Sequence, residues 1–180
     1  KDIKIGFIKT YTWKNLEEYN QTQILNYVKK ISKYFHLDEI ELSNKFLDIH
    51  GLHTKIYHKS LSYYFEREKK LGRKLSTIIK KNIKQGELVR NADFLDALDK
   101  QTYLFNDFDK LVSNYDLIIA PGTSGIAPLK NNVEKDDSSL IWTFLHLPTI
   151  FAPIFKGPKN LPFGLQFVAR KWNDFKLIRT

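Results

Sequence analysis

A short loop of glycine and hydroxyl residues, Gly122-Thr-Ser-Gly125, is the first segment of this chain that could do chemistry. Ser124 is a candidate nucleophile, but the loop lacks the G-x-S-x-G spacing of a nucleophile turn and has no nearby His or Lys as its base. Glycine with small hydroxyls is also typical of a connection that leaves a buried strand. Because loops at the carboxyl ends of strands bind ligands in α/β folds, we expect pocket lining here rather than catalysis.

Paired serines form a second candidate, at Ser138-Ser139. A serine that attacks an acyl group needs a Gly-rich turn that presents its hydroxyl and backbone N–H groups to the oxyanion. The neighbours here are instead two aspartates and an apolar pair, Leu140-Ile141. The pattern therefore predicts a helix cap.

Three histidines, His50, His53 and His58, could suggest a metal site. Two imidazoles one helical turn apart can share a metal, and His50 and His53 have that spacing, but His58 lies five residues further on. No H-E-x-x-H pattern is present in the sequence. We expect structural histidines on an amphipathic helix, and no metal.

Several carboxylates follow in a later helical segment, where a pair could act as general acid and base. Their spacing puts them on the polar side of that helix, so we expect solvation or pairing with lysine instead. These residues are Asp96, Asp99, Asp107 and Asp109.

Composition narrows the function classes. The net charge is +9, but the lysines are scattered, their tightest cluster being Lys80, Lys81 and Lys84, so we expect solvated helix faces and no nucleic-acid partner. The absence of Cys excludes disulfides, thiolate metal sites and a cysteine nucleophile. No apolar run is long enough to span a bilayer, and residues 1–6 lack the apolar region of a signal peptide. The expected location is therefore cytoplasmic, with no membrane partner.

The elements that must position these groups follow an α/β order. Apolar residues from Ile3 to Ile8 predict a strand, and a helix that Asn15 caps should run to about Tyr34. Its buried stripe should contain Ile24, Tyr27, Val28, Ile31 and Phe35. A second strand at Glu39–Leu42 completes a βαβ unit, which favours parallel pairing.

Helices should fill the middle of the chain and strands its end. The pattern predicts helices around residues 50–65, from Leu75 to about Lys84, and after a cap at Asn91. Residues 116–120 read as a strand buried on both faces. A short helix at 140–145 and an antiparallel hairpin of strands 149–155 and 163–169 follow.

The last third of the chain resembles the amidase signature family of hydrolases. Four blocks carry the resemblance in order and spacing: Tyr115-Asp-Leu-Ile-Ile-Ala-Pro121 with Ala127-Pro128, Trp142-Thr-Phe-Leu-His-Leu-Pro148, Ala152-Pro153, and Leu161-Pro-Phe-Gly-Leu-Gln166. The resemblance implies the C-terminal part of an amidase signature fold over residues 1–180, an α/β mixed sheet flanked by helices.

Family members cleave amides with a Ser-cisSer-Lys triad and need no cofactor. No Gly-Gly-Ser-Ser type segment and no matching lysine occur in this sequence, so the resemblance assigns no catalytic residue. It implies a C-terminal piece that supplies sheet scaffold and part of the pocket, is inactive alone, and has as partners a missing N-terminal amidase core and a small-molecule amide substrate. A sheet without its neighbouring strands could make the piece self-associate.

The same resemblance implies which residues face the substrate: Pro121, Gly122, Thr123, Ser124, Trp142 and His146. Trp142 could equally belong to the core, because of its large apolar area. Many relatives have Gly at the position of His146, so this side chain could narrow the pocket or pack beneath the sheet. The alternative function is a non-catalytic binding or scaffolding module derived from the amidase fold.

Overall fold

A mixed five-stranded sheet runs through the part of the chain that the computed structural model describes, residues 3–72, 74–130, 132–133 and 135–179. Its strands, in chain order, are β1 (Lys4–Phe7), β2 (His36–Glu39), β3 (Leu117–Pro121), β4 (Thr149–Lys156) and β5 (Pro162–Val168). Their order across the sheet is β2-β1-β3-β5-β4. β1 is parallel to β2 and β3, whereas β5 is antiparallel to both β3 and β4. The predicted mixed sheet, the parallel βαβ unit and the antiparallel C-terminal pair are confirmed.

Helices cover both faces of the sheet. They are α1 (Glu18–Ile31), α2 (Ile49–Tyr64), α3 (Glu66–Lys70), α4 (Thr77–Leu88), α5 (Asn91–Leu111), α6 (Ser139–Phe144) and α7 (Asp174–Arg179). Alternate residues of β3 pack against the helices on opposite faces of the sheet, because side chains of a strand alternate between its two faces. Ile118 and Ala120 pack with α2, α5 and α6, while Leu117 and Ile119 pack with α1 and α7. All five residues of β3 are buried, which confirms the predicted central strand.

Two details of the βαβ unit differ from the sequence prediction. The predicted cap at Asn15 is wrong, because residues Tyr11–Asn15 form a separate 3₁₀ turn and α1 begins at Glu18 with no side-chain cap. The Asn15 amide instead donates to the Asp136 carbonyl, 2.9 Å away. The strand predicted at Glu39–Leu42 lies three residues earlier, at His36–Glu39. The apolar Ile40 that suggested the later position is buried just beyond the end of β2.

The buried stripe of α1 is shorter than its apolar pattern predicts. Ile24 is fully buried, and Tyr27, Val28 and Ile31 are partly buried against the sheet. Phe35 lies beyond the helix end and is 41% exposed, so its predicted place in the stripe is wrong. A helical period extrapolated past the last hydrogen-bonded turn no longer describes which face a side chain occupies.

α5 is the long helix that the sequence predicts after residue 91. Its predicted cap is wrong, because the N-cap position is Arg90, whose side chain pairs with Asp93. The helix is tied to the sheet by Asp109, which accepts two hydrogen bonds of 2.6 Å from the Arg170 guanidinium. These hydrogen bonds hold the pKa of the Asp109 carboxyl below its usual value. Among the described residues, no helix is long and apolar enough to cross a membrane.

Candidate functional site

A cleft of about 810 Å³ opens where β3 ends. Thr123 and Ser124 from the loop after β3 form one wall, and Phe151 of β4 forms part of another. Apolar side chains dominate the remaining lining, with Ile126, Leu129, Val133 and Leu161 among them. A mostly apolar concave surface with a few polar groups is the usual form of a small-molecule site.

Helix α1 holds the cleft loop by its backbone. The Asn20 amide nitrogen donates to the Thr123 carbonyl at 2.8 Å, and the Ile126 N–H donates to the Tyr19 hydroxyl at 2.9 Å. Between them, the Glu17 N–H donates to the Ser124 carbonyl at 2.9 Å. Asn20 is fully buried, so its side chain holds the loop from inside the protein. The loop is thereby fixed while the Thr123 and Ser124 residues still line the cleft.

Gly122 brings β4 close to the end of β3. Its N–H donates to the Gly164 carbonyl at 2.9 Å. A Cβ atom at this position would lie 2.3 Å from the Phe151 ring and 2.9 Å from the Gly164 oxygen. Only glycine therefore lets the Phe151 ring pack at this edge of the cleft.

The serine pair forms a buried polar network at the end of β3. Ser138, 1% exposed, donates its hydroxyl to the Pro121 carbonyl, and Ser139 donates to the Gly122 carbonyl at 3.3 Å. The Gln166 amide of β5 donates to the Ser139 hydroxyl at 2.9 Å. Ser138 does occupy the N-cap position of α6, but its predicted capping bond is wrong. The Asp137 carboxylate accepts from the Ser139 N–H instead, which frees the Ser138 hydroxyl for the strand end.

Charged groups lie at opposite sides of the cleft. Lys135 pairs with Glu17 at 2.7 Å, which links the segment after Pro128 to the start of α1. Lys159 lines the cleft from the turn between β4 and β5, where its φ of 55° lies in the left-handed region. No hydrogen bond joins the Ser124 hydroxyl to a lysine or histidine among the described residues, so the nucleophile–base contact of a hydrolase is not found at this loop.

The six residues expected to face a substrate do not all come together. Thr123 and Ser124 line the cleft, and Pro121 and Gly122 lie directly behind them at the end of β3. Trp142 is 1% exposed and packs on Phe108 with ring centroids 5.7 Å apart, so the structure puts it in the core.

His146 lies at a separate cavity, with Lys171 and Trp172 among its neighbours. It is exposed, so it does not pack beneath the sheet. Its φ of 55° is a conformation that glycine adopts without steric cost and that other residues adopt rarely. Contact of Trp142 or His146 with a substrate stays a prediction that this cleft does not support.

The histidines of α2 make contacts with aromatic side chains. His50 is hydrogen-bonded through Nδ1 to the Tyr11 hydroxyl, and burial raises the pKa of that hydroxyl above its usual range. His53 stacks on Tyr57 within α2. In the part of the chain that the structure describes, no three His, Cys, Asp or Glu side chains are grouped to hold a metal.

The prediction of solvation or pairing with lysine is confirmed for Asp96, Asp107 and the exposed Asp99, whereas the partner of Asp109 is an arginine. Asp96 pairs with Lys100 at 2.7 Å and Asp107 with Lys45 at 3.0 Å, while Asp109 pairs with Arg170.

Sequence reasoning missed the residues that hold the cleft together. Asn20 had a detectable signal, because it lies four residues before Ile24 on the buried stripe of α1, where a polar side chain needs an internal partner. Phe151 and Tyr19 had none, because their role depends on β4 and α1 meeting at the end of β3. Gln166 belongs to a family-like block, but its buried hydrogen bonds to the serine pair follow only from the antiparallel pairing of β5 with β3.

Comparison with known proteins gives a consistent set of relatives. No protein-family profile matches the chain. A glutamyl-tRNA(Gln) amidotransferase subunit from Bacillus thuringiensis (strain Al Hakam) is 27% identical over 115 residues, which cover 56% of this chain and 24% of that protein. The chain thus spans about a quarter of the length of the curated relatives it matches.

Solved structures share the fold over nearly the whole chain. An amidase crystal structure superposes with a TM-score of 0.85 at 16% identity and covers 99% of this chain and 44% of its own. A bacterial aryl acylamidase of the amidase signature family gives a TM-score of 0.75 at 14% identity, covering 99% of this chain and 41% of its own. At these identities the superpositions establish the fold, and the matched part is a C-terminal portion of each relative.

Proposed function

We propose that this chain, which has the fold of the amidase signature family and sequence relatives in it, is the C-terminal part of an amide hydrolase of the Ser-cisSer-Lys type. Its role is to complete the sheet and to form one wall of the substrate pocket. The attacking serine, the relaying serine and the lysine base belong to an N-terminal half. The chain alone is therefore inactive, and the whole enzyme acts in the cytoplasm.

The observation that carries this proposal is the coverage. The described chain aligns with amidase structures over 99% of its length while covering 44% or less of theirs. More than half of each amidase has no counterpart in these residues. The cleft fits the same division, since it has loop hydroxyls and apolar walls but no described serine hydrogen-bonded to a base.

Exposed apolar side chains on the edge strand β4 support a missing partner half. β4 is an edge strand, and its Ile150, Phe151 and Ile154 are 39%, 43% and 44% exposed. Large apolar side chains on an edge strand are usually covered by another element. We infer that the N-terminal half packs here and closes the cleft from the side that now faces solvent.

Within the cleft, we assign substrate contact first to Thr123 and Ser124, with Pro121 and Gly122 fixing their position. The apolar walls favour a small amide whose non-reacting part is hydrophobic, because burying apolar area contributes about 25 cal/mol per Å². Phe151 contributes the largest flat apolar surface of β4 to this cleft. The pocket assignment is open to a direct kinetic test.

The test compares Phe151→Ala with Ile150→Ala in the protein encoded by the complete reading frame. The two side chains are similarly exposed, but neighbours on a strand point to opposite faces, and only Phe151 lines the cleft. With an apolar anilide substrate, we expect Phe151→Ala to raise KM about tenfold or more, from the loss of roughly 2 kcal/mol of apolar contact, while Ile150→Ala leaves it unchanged. Equal effects of the two substitutions would refute the pocket assignment.

The reading frame itself separates this function from the alternative. A Gly-rich Ser-Ser segment and an earlier lysine upstream of residue 1 are expected of an amidase. An upstream sequence without them would instead favour a non-catalytic binding or scaffolding module that keeps the amidase fold.

A further inference from the structure

The hairpin formed by α3 and α4 carries more than half of the net positive charge of the chain. Residues 66–88 contain eight of the 29 basic residues and three of the 20 acidic ones, so this segment has an excess of five positive charges in a chain whose net charge is +9. α3 and α4 contact α2, and none of their described residues lines the candidate cleft. This charge is therefore concentrated away from that cleft.

A cavity of about 420 Å³ lies at this hairpin, and lysines and apolar side chains both line it. One of these lysines, Lys69, is paired with Glu87. Lys80 and Lys84 lie one turn apart on α4 and also line the cavity, and neither has an ion-pair partner among the residues described. Like charges at this spacing destabilise a helix, and an anion bound between them would remove that cost.

Exposed aliphatic side chains flank the turn of the same hairpin. Leu71, at the end of α3, is 58% exposed, and Ile78, in the first turn of α4, is 71% exposed. Between them the chain turns through Gly72, whose φ is +63°. Basic side chains stand on both sides of this turn, with Lys70 before it and Lys74 after it. From the sequence alone we expect these lysines to be solvated. That expectation does not explain why two aliphatic side chains beside them are exposed.

We propose that the tip of the α3–α4 hairpin docks the protein on a bilayer surface rich in anionic phospholipid. The lysines match the negative headgroups, and Leu71 and Ile78 enter the boundary between headgroups and acyl chains. A nucleic acid would satisfy the lysines but offers no apolar phase for the aliphatic side chains. Tyr63 and Tyr64, each 74% exposed at the end of α2, are residues of the type found at such interfaces.

Co-sedimentation with vesicles tests the proposal. The chain should bind vesicles of equimolar phosphatidylcholine and phosphatidylglycerol and not vesicles of phosphatidylcholine alone, with binding weakened by added salt. Lys80→Gln with Lys84→Gln should lower the partition coefficient about 30-fold at low ionic strength, from two lost headgroup attractions. The matched control, Lys29→Gln with Lys30→Gln in the last turn of α1, removes the same charge elsewhere and should change the coefficient less than threefold.

A second pair of variants separates a lipid surface from other polyanions. Leu71→Ser with Ile78→Ser should weaken vesicle binding at least tenfold and leave binding to heparin unchanged, since heparin has no apolar phase. Circular dichroism would check that all variants fold. Equal loss in the α1 control, equal binding to uncharged vesicles, or binding to heparin without binding to anionic vesicles would each overturn the proposal.

Discussion

Asn20 is the buried side chain on which the cleft loop depends at the scale of single residues. Its amide nitrogen donates to the Thr123 carbonyl, and its side-chain oxygen has no hydrogen-bond partner in the described structure. The stability of the fold is sensitive to any loss of this one hydrogen bond, because the buried side chain makes no other. The Asn20 NH₂ group satisfies this carbonyl, which an ionised carboxylate at the same position could not.

Replacing this amide by a carboxyl group should destabilise the fold in a pH-dependent way. Asn20→Asp removes the donor, and we expect the free energy of unfolding to fall by about 2 kcal/mol at pH 7. Burial raises the folded-state pKa of the introduced carboxyl above its unfolded value of about 3.9. The protonated form can again donate, so the loss should be smallest below the unfolded pKa and should grow as the pH rises from that value through the folded pKa. Urea unfolding at pH 4 and pH 7 measures this.

Asn26→Asp is the matched control, because Asn26 is exposed on the same helix. We expect it to change the free energy of unfolding by less than about 0.5 kcal/mol at either pH. A pH-independent loss at Asn20, or an equal loss at Asn26, would show that the buried amide bond is not what holds the loop.

At the scale of elements, the packing of α4 on α2 depends on the absence of a Cβ atom at position 86. Gly86 is buried in α4, and a Cβ there would lie 1.9 Å from the His58 carbonyl oxygen of α2. Backbone atoms cannot move aside as a flexible side chain can. The close approach of these two helices therefore depends on glycine, although glycine is an unfavourable helix residue.

Opposite outcomes are expected for two glycine-to-alanine substitutions. Gly86→Ala should lower stability by about 2 kcal/mol and the melting temperature by about 5 °C, because overpacking outweighs the better helix propensity. Gly51→Ala in α2 should be neutral or stabilising by up to about 1 kcal/mol, since the added Cβ meets only the exposed Asp48 side chain. Thermal unfolding followed by circular dichroism compares them, and a stabilised Gly86→Ala would contradict the described helix crossing.

Sequence periodicity predicted the elements better than the contacts between them. β3 was predictable because residues 117–121 form a continuous apolar run, and the long α5 because its apolar residues keep a helical spacing. The cap at Asn15 and the position of β2 were not, because Asn15 and Ile40 take partners that lie elsewhere in the fold. The cap of α5 was not, because Arg90 takes the N-cap position and pairs with Asp93 in the first turn. For the site, Thr123 and Ser124 were predictable from a loop after a strand. Asn20 and Phe151 become part of it only through tertiary packing.

At the scale of the whole molecule, the apolar edge strand β4 is the feature that the proposed missing half would cover. Ile150, Phe151 and Ile154 of β4 are exposed together, whereas the opposite edge, β2, carries polar and charged side chains such as His36 and Glu39. Pro153 and the irregular register after Ala152 limit strand-to-strand pairing at β4. Association of the isolated chain should therefore come from contacts between the exposed apolar side chains of β4.

A charged residue on this face should suppress that association. Sedimentation velocity over a range of concentrations should show reversible self-association of the chain, and Ile154→Lys should weaken it about tenfold or more, because a buried ammonium is costly. Leu25→Lys, at a position on α1 with 42% exposure, is the control and should leave association unchanged. A strictly monomeric chain would argue against an uncovered interface.

Amide turnover by the 180-residue chain tests most directly the proposal that the catalytic residues belong to an N-terminal half. The chain alone should hydrolyse a reactive anilide no faster than buffer, and activity should appear when the separately produced upstream half of the same protein is added. Turnover by the 180 residues alone, abolished by Ser124→Ala, would contradict the account, because it would place the nucleophile in this chain.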